Sequence, residues 1–162
     1  MKTRGKILAA IIVLGVIGIT VSLSLDFLYI PLPPPEKLTD VEITLERTGC
    51  YGTCPIYTVS ISGDGSVTYQ GERFVKTLGV QTYAVSSGDV EQLVAMIYQK
   101  NYFSLNDRYE VGATDLPTVI TSVRVGDEIK TVENYGGAGP AQLHEIEQKI
   151  DEITDSESLW KE

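Results

Sequence analysis

Residues 57–69 read YTVSISGDGSVTY, and this segment is the strongest indication of the fold class. In residues 57–61, apolar and aromatic side chains alternate with small polar ones, which is the period of a strand with one buried and one wet face. Residues 62–66 (SGDGS) have turn chemistry, and residues 67–69 resume the alternation. The stretch therefore predicts a β-hairpin with one apolar face.

The flanking segments extend the strand pattern in both directions. Residues 41–46 alternate before the hairpin, and residues 73–85 form a further extended stretch that is interrupted near Gly79. Later in the chain, residues 119–135 alternate on either side of Gly126-Asp127, a two-residue hairpin turn. Because strands joined by short turns pair antiparallel, we expect a mostly antiparallel sheet of about six strands.

Two segments show the period of a helix instead. The Ser86-Ser87 pair supplies a cap for a helix whose apolar residues recur at helical spacing over residues 90–98. A second helix is predicted to begin at Gly139-Pro140, with leucine and isoleucine on one face as far as Ile153. Since each helix has a single apolar stripe, we expect an α+β domain in which both helices pack on one face of the sheet.

The N-terminal segment predicts a membrane anchor followed by a spacer. Residues 1–6 contain three basic side chains and precede an uncharged, apolar run of 19 residues, 7–25, which is long enough to cross a bilayer as a helix. The positive-inside rule places residues 1–6 in the cytoplasm and the rest of the chain outside. A cleaved signal peptide is the alternative, although its apolar stretch is usually shorter and residues 20–22 make a poor cleavage site. Residues 26–38 are rich in proline and favour an extended polyproline spacer.

Residues 39–162 are therefore expected to form one extracytoplasmic domain, since their number suits a single hydrophobic core. Ten basic residues and 22 acidic residues follow the apolar run, so the exported part carries a net charge of −12. Such a surface repels phosphate backbones, which argues against a nucleic-acid partner. The expected partners are the lipid bilayer, through the N-terminal helix, and an envelope or surface protein.

The two cysteines of the chain, Cys50 and Cys54, stand four positions apart in the segment TGCYGTCP. Outside the cytoplasm thiols are normally oxidised, so a small structural disulfide is the leading prediction. A redox-active pair is one alternative, but such pairs are usually C-x-x-C at the start of a helix, whereas a strand pattern follows Pro55. Zinc is another, but it needs about four ligands, and the sole histidine, His144, lies far away on the second helix. No metal or cofactor is predicted.

Around these cysteines the sequence resembles the exported domain of unknown function 6438 family, whose members carry a GCFGTCP-type signature. The matching segments are GCYGTCPIY at residues 49–57 and GDG at residues 63–65, with FSL at 103–105 and TDLPT at 114–118. The resemblance extends from residue 41 to about residue 160. It implies a shared fold and carries no assigned activity.

Asp107, Tyr109 and Asp115 are the candidate binding residues, in the connection that follows the first helix. Carboxylates can serve acid–base chemistry or hold calcium. However, their spacing matches no calcium loop, and Asp115 two positions before Pro117 also fits a turn.

No catalytic residue is predicted, because the chain has no G-x-S-x-G elbow and its one histidine falls on a polar helix face. We expect a non-catalytic binding or interaction module. The alternatives are a thiol–disulfide exchange protein that uses Cys50 and Cys54, and a small-ligand carrier.

Overall fold

The computed structural model describes residues 38–161, and the predicted hairpin is part of it. Its strands, β2 (Ile56–Ser62) and β3 (Ser66–Arg73), pair antiparallel with Val59 opposite Tyr69. Gly65 closes the turn with a φ of 86°, and a Cβ at this position would lie 2.5 Å from the carbonyl oxygen of Val85. Because side chains disfavour that backbone conformation and no space remains for one, glycine is required here.

The described residues form one seven-stranded sheet with two main helices. The other strands are β1 (Val41–Arg47), β4 (Gly79–Ala84), β5 (Arg108–Tyr109), β6 (Thr118–Val125) and β7 (Glu128–Tyr135). The helices are α1 (Ser87–Gln99), α2 (Ala141–Thr154) and the short α3 (Ser156–Trp160), with a single 3₁₀ turn at Tyr102–Ser104. The strand order is β4-β3-β2-β1-β6-β7-β5, and each neighbouring pair is antiparallel except β5 with β7. The predicted α+β class and the mostly antiparallel sheet are confirmed.

The prediction differs from the structure in one loop and in two short elements. The sequence predicts an extended stretch over residues 73–85 with a break near Gly79. In the structure β3 ends at Arg73, and residues 74–78 form the loop to β4. β5 and α3 were not predicted, because two and five residues are too few to display a period.

Alternation along the strands buries one face of the sheet, and both main helices cover that face. On β1 the buried residues are Val41, Ile43 and Leu45, and they belong to the same core as residues of α1 and α2. The Ser86 Oγ accepts a hydrogen bond from the Asp89 amide, as the cap prediction requires. The opposite face is polar and carries hydroxyl pairs between neighbouring strands. The placement of both helices on one face is therefore confirmed.

The two ends of the sheet have different connections. At one end lie the loops of residues 48–55, 74–78, 110–117 and 136–140, and we call this the disulfide end. At the other, far end the chain enters β1 after Leu38.

The predictions for residues 1–37, including the membrane anchor and nearly all of the spacer, fall outside the described residues. Between Leu38 and Lys161, none of the helices combines the length and hydropathy that a membrane span requires.

Candidate functional site at the disulfide end

The loop between β1 and β2 holds an exposed aromatic side chain on a fixed backbone. Cys50 and Cys54 are at disulfide-bonding distance, with their Cα atoms 5.7 Å apart. Inside this closed loop, the Gly52 amide donates to the Cys50 carbonyl at 2.8 Å, and the Tyr51 amide donates to the Asp115 carbonyl at 3.0 Å. The side chain of Tyr51 is nevertheless 91% exposed. The loop is thus tied within itself and to a neighbouring loop, while its aromatic ring points into solvent.

The neighbouring loop, residues 110–117, is bonded to the end of β7, and the start of β6 that follows it is bonded to the residue after β1. Thr48 and Thr118 exchange two hydrogen bonds of 2.9 Å, one of them through the Thr48 hydroxyl. The Leu116 amide donates to the Tyr135 hydroxyl at 3.2 Å. These bonds connect the first residue after β1 to the first residue of β6, and they connect Leu116 to the last residue of β7.

Val111 and Leu116 are two further apolar side chains at the disulfide end, and each is exposed in part. Gly136, with a φ of 62°, lies where a Cβ would come within 2.7 Å of both Leu116 and Val111. Because only glycine accepts this approach, Leu116 and Val111 close over the β7–α2 connection. We call Tyr51, Val111 and Leu116 together the loop surface.

A buried ionic cluster lies where β1 enters the disulfide loop. The Asp151 carboxylate of α2 accepts from Arg47 Nη2 at 2.5 Å, from the Tyr57 hydroxyl at 2.8 Å and from the Ser156 hydroxyl at 2.5 Å. Arg47 Nε also donates to the Tyr57 hydroxyl at 2.8 Å. Burial, together with the Asp151 charge, raises the pKa of Tyr57, so its hydroxyl stays protonated and serves as a donor. We call these four residues the Asp151 cluster.

A second buried carboxylate, Glu147, lies one turn earlier on α2 and is 4% exposed. Asn134 Nδ2 donates to both of its oxygens, at 3.0 and 3.2 Å, while Asn134 Oδ1 accepts from the Gly139 amide at 2.8 Å. His144 Nδ1 is 3.4 Å from one Glu147 oxygen. Burial raises the pKa of Glu147, although Asn134 and His144 both act in the opposite direction. These bonds hold the start of α2 against the end of β7.

A family model described as "Domain of unknown function (DUF6438)" matches residues 41–154. The chain belongs to the DUF6438 family. The matched span of the DUF6438 domain runs from the first residue of β1 to the last residue of α2, so it includes the loop surface and both buried carboxylates. The family resemblance expected from the cysteine segment is confirmed. No curated protein matches the chain.

The sequence did not indicate Glu147 and Asp151 as buried residues of the DUF6438 domain. Their apolar neighbours Ile146 and Ile150 were expected to face the core, and carboxylates beside such a stripe usually face water. The available signal was the spacing: Leu143, Glu147 and Asp151 stand at i, i+4 and i+8 and share one face of α2.

The three predicted binding residues have separate surroundings in the DUF6438 domain. Asp107 forms an ion pair with Lys130 and its side chain is otherwise exposed. Tyr109 pairs with Asn134 in the sheet, and its hydroxyl accepts from the Asn106 amide at 3.0 Å. Asp115 has a φ of 66° and contributes its carbonyl, not its carboxylate, to the Tyr51 loop. Of the three, only Asp115 takes part in the candidate site.

A solvent-open cleft lies beside the Asp151 cluster, with a volume of about 640 Å³. Its walls include Pro55, Trp160 and the carboxylates of Glu152, Asp155 and Glu157. Within residues 38–161, no three histidine, cysteine or acidic side chains are grouped so that they could hold a metal ion.

Proposed function

We propose that this chain is a non-catalytic binding module whose loop surface contacts an envelope or surface protein, with the N-terminal segment serving as its membrane anchor. The observation that carries the proposal is Tyr51: an exposed aromatic ring on a loop closed by a disulfide and hydrogen-bonded to Asp115.

Tyrosine is among the residues that contribute most to protein–protein binding, because it buries a large rigid surface at a small cost in side-chain entropy. A loop that already holds its bound backbone conformation loses little further freedom on binding. The disulfide and the Asp115 contact therefore reduce the conformational entropy that the Tyr51 loop loses on binding, although neither of them touches the partner.

The hydrogen bonds of the buried polar groups beneath the loop favour a structural role for these groups. Asp151 accepts three hydrogen bonds from Arg47, Tyr57 and Ser156, and the raised pKa of Tyr57 keeps its hydroxyl from acting as a base. Arg47 lies at the end of β1 and Tyr57 near the start of β2, so the cluster fixes the two strand ends from which the disulfide loop emerges.

The position of the loop surface in the sheet also suits a tethered binding module. The chain enters the domain at the far end, before Val41, whereas Tyr51 follows the last residue of β1. At about 3.3 Å per residue, the seven residues of β1 separate the two ends by roughly 20 Å. Leu38, where the described chain begins, and the loop surface therefore lie at opposite ends of the sheet.

Photo-crosslinking tests the proposal. A photoreactive phenylalanine analogue replaces Tyr51 in the full chain in its native membrane, and Ile129, which is 68% exposed on the open face of the sheet, is the matched control position. We expect position 51 to crosslink one defined partner protein. This partner should bind the Tyr51→Ala variant at least roughly 30-fold more weakly than it binds the unaltered chain. Equal adducts from both positions, or an unchanged affinity, would contradict the proposal.

The cleft beside the Asp151 cluster favours a second candidate function, that of a small-ligand carrier. Its volume is within the range of ligand sites. Glu152 and Glu157 in its wall pair with Lys149 and Lys161, whereas Asp155 has no cationic partner among the described residues and is the carboxylate that suits an amine ligand. Titration with a small diamine, followed by the indole resonance of Trp160, tests this reading. A saturable shift that Asp155→Asn weakens supports the carrier, and no shift at millimolar diamine rules it out for amines.

A further inference from the structure

β4 forms one edge of the sheet, and its outer backbone groups face away from β3. The Val85 amide donates to the Gly65 carbonyl, which fixes the inward-pointing positions of this strand. Because inward and outward positions alternate in an antiparallel ladder, the amides and carbonyls of Val80, Thr82 and Ala84 point outward. No hydrogen bond to another described residue uses these three amides.

This edge lacks the features that normally keep edge strands apart. Residues 77–88 contain no charged residue and no proline, and Leu78 and Val80 are 65% and 60% exposed. The opposite edge is different: β5 has two residues, and Arg108 within it pairs with Glu110 and Glu133. An uncharged six-residue edge beside exposed apolar side chains is a template for pairing with another strand.

The charges at the two ends of β4 differ in sign, although Glu72 beside Arg73 reduces the positive end, residues 72–78, to a net charge of +1 (two basic residues and one acidic residue). Of the nine arginine and lysine residues between positions 38 and 161, seven form ion pairs with other described residues, and the exceptions are Arg73 and Lys76 in and beside the β3–β4 loop. At the other end of β4 lie Asp64, in the β2–β3 turn, and Glu91, in the first turns of α1. Neither acid has a cationic partner among the described residues.

We propose that β4 pairs antiparallel with β4 of a second copy of this chain, which makes one continuous sheet across a two-fold axis. If the two-fold axis passes beside Thr82, then Thr82 of one copy lies opposite Thr82 of the other and Val80 lies opposite Ala84. The outward amides and carbonyls of these residues can then bond to each other. The same symmetry brings the Arg73 end of each copy to the Glu91 end of its partner. A strand edge that is positive at one end and negative at the other is complementary to itself only in this antiparallel arrangement.

Sedimentation of the purified full chain in detergent micelles tests the proposal. We expect a monomer–dimer equilibrium that Thr82→Pro weakens by at least tenfold, since proline removes an outward amide and leaves the inner ladder intact. A chain that stays monomeric at about 100 µM overturns the proposal, as does a dimer that Thr82→Pro does not weaken. Pairing of β4 with a strand of another protein would give the first of these results.

A charge exchange tests the proposal independently of any effect of proline on folding. Arg73 and Glu91 are both exposed, so Arg73→Glu and Glu91→Lys are expected to fold. Each variant alone should dimerise more weakly than the unaltered chain, because like charges meet twice across the axis. An equal mixture of the two should recover dimerisation through hetero-pairs with both contacts restored. If the mixture dimerises no better than either variant alone, the arrangement is wrong.

Discussion

The two main helices cover the same face of the sheet with different chemistry. α1 buries only apolar residues, Val90, Leu93, Val94 and Ile97. α2 buries an apolar stripe together with Glu147 and Asp151. An apolar contact fixes what is buried but tolerates small shifts, whereas a buried carboxylate with three donors fixes the relative positions of the elements that supply them. The half of the core under α2 therefore both stabilises the fold and orients the disulfide end.

The largest effect is expected for Asp151→Ala. Removal of the carboxylate leaves the half-buried Arg47 charge and the buried Tyr57 hydroxyl without their acceptor. Breaking a fully buried pair costs about 3–5 kcal/mol, and because Arg47 is partly exposed we expect the lower part of this range, about 3–4 kcal/mol. The free energy of unfolding in urea measures this loss, with Glu152→Ala on the exposed side of α2 as the control. A loss similar to that of the control would show that the cluster is not needed for stability.

Leu93→Ala should destabilise the α1 half by about 3 kcal/mol through lost burial and a cavity. The comparison between the halves predicts that hydrogen exchange distinguishes the two variants. Amides of residues 48–55 should exchange faster in Asp151→Ala and at the unaltered rate in Leu93→Ala. Faster exchange of this loop in both variants would mean that the two halves do not differ.

Replacement of both cysteines by serine is expected to cost about 2 kcal/mol, because the closed loop has only about five residues. The same variant should lose the crosslink from position 51, since the loop backbone is no longer fixed. Thiol–disulfide exchange makes a different prediction: the disulfide would open with mild dithiols and one thiol would have a low pKa.

Glu147→Gln should have the smallest effect and the opposite sign. Burial raises the pKa of Glu147 in the folded state, so the stability linked to this group is complete below the ordinary carboxyl pKa and is lost as pH rises through the folded-state pKa. Glutamine avoids this loss, and we expect the variant to be more stable than the unaltered chain at pH 8 by on the order of 1 kcal/mol. Unfolding at pH 4 should show no such gain. A difference that is the same at both pH values would contradict the assignment.

Local features of the fold could be predicted from the sequence, whereas contacts between distant segments could not. The 57–69 hairpin, the Ser86 cap and the α1 stripe are local, so the periods and turn residues that specify them lie within a few positions of each other. The Asp151 cluster joins Arg47 to a residue 104 positions later, and no local pattern encodes that pairing. Of the candidate site, Cys50 and Cys54 were predicted from compartment and spacing, but the contact of their loop with Asp115 follows from the pairing of β1 with β6.

A competition experiment at Tyr51 tests whether the loop surface binds the partner. The full chain with a photoreactive residue at position 51 is expressed together with an excess of untagged competitor, either the unaltered chain or Tyr51→Ala, and the amount of adduct is measured. We expect the unaltered chain to suppress the adduct and Tyr51→Ala to leave it, although the two competitors have the same free energy of unfolding within about 0.5 kcal/mol. Equal suppression by both competitors would contradict the account of the loop surface as the binding site.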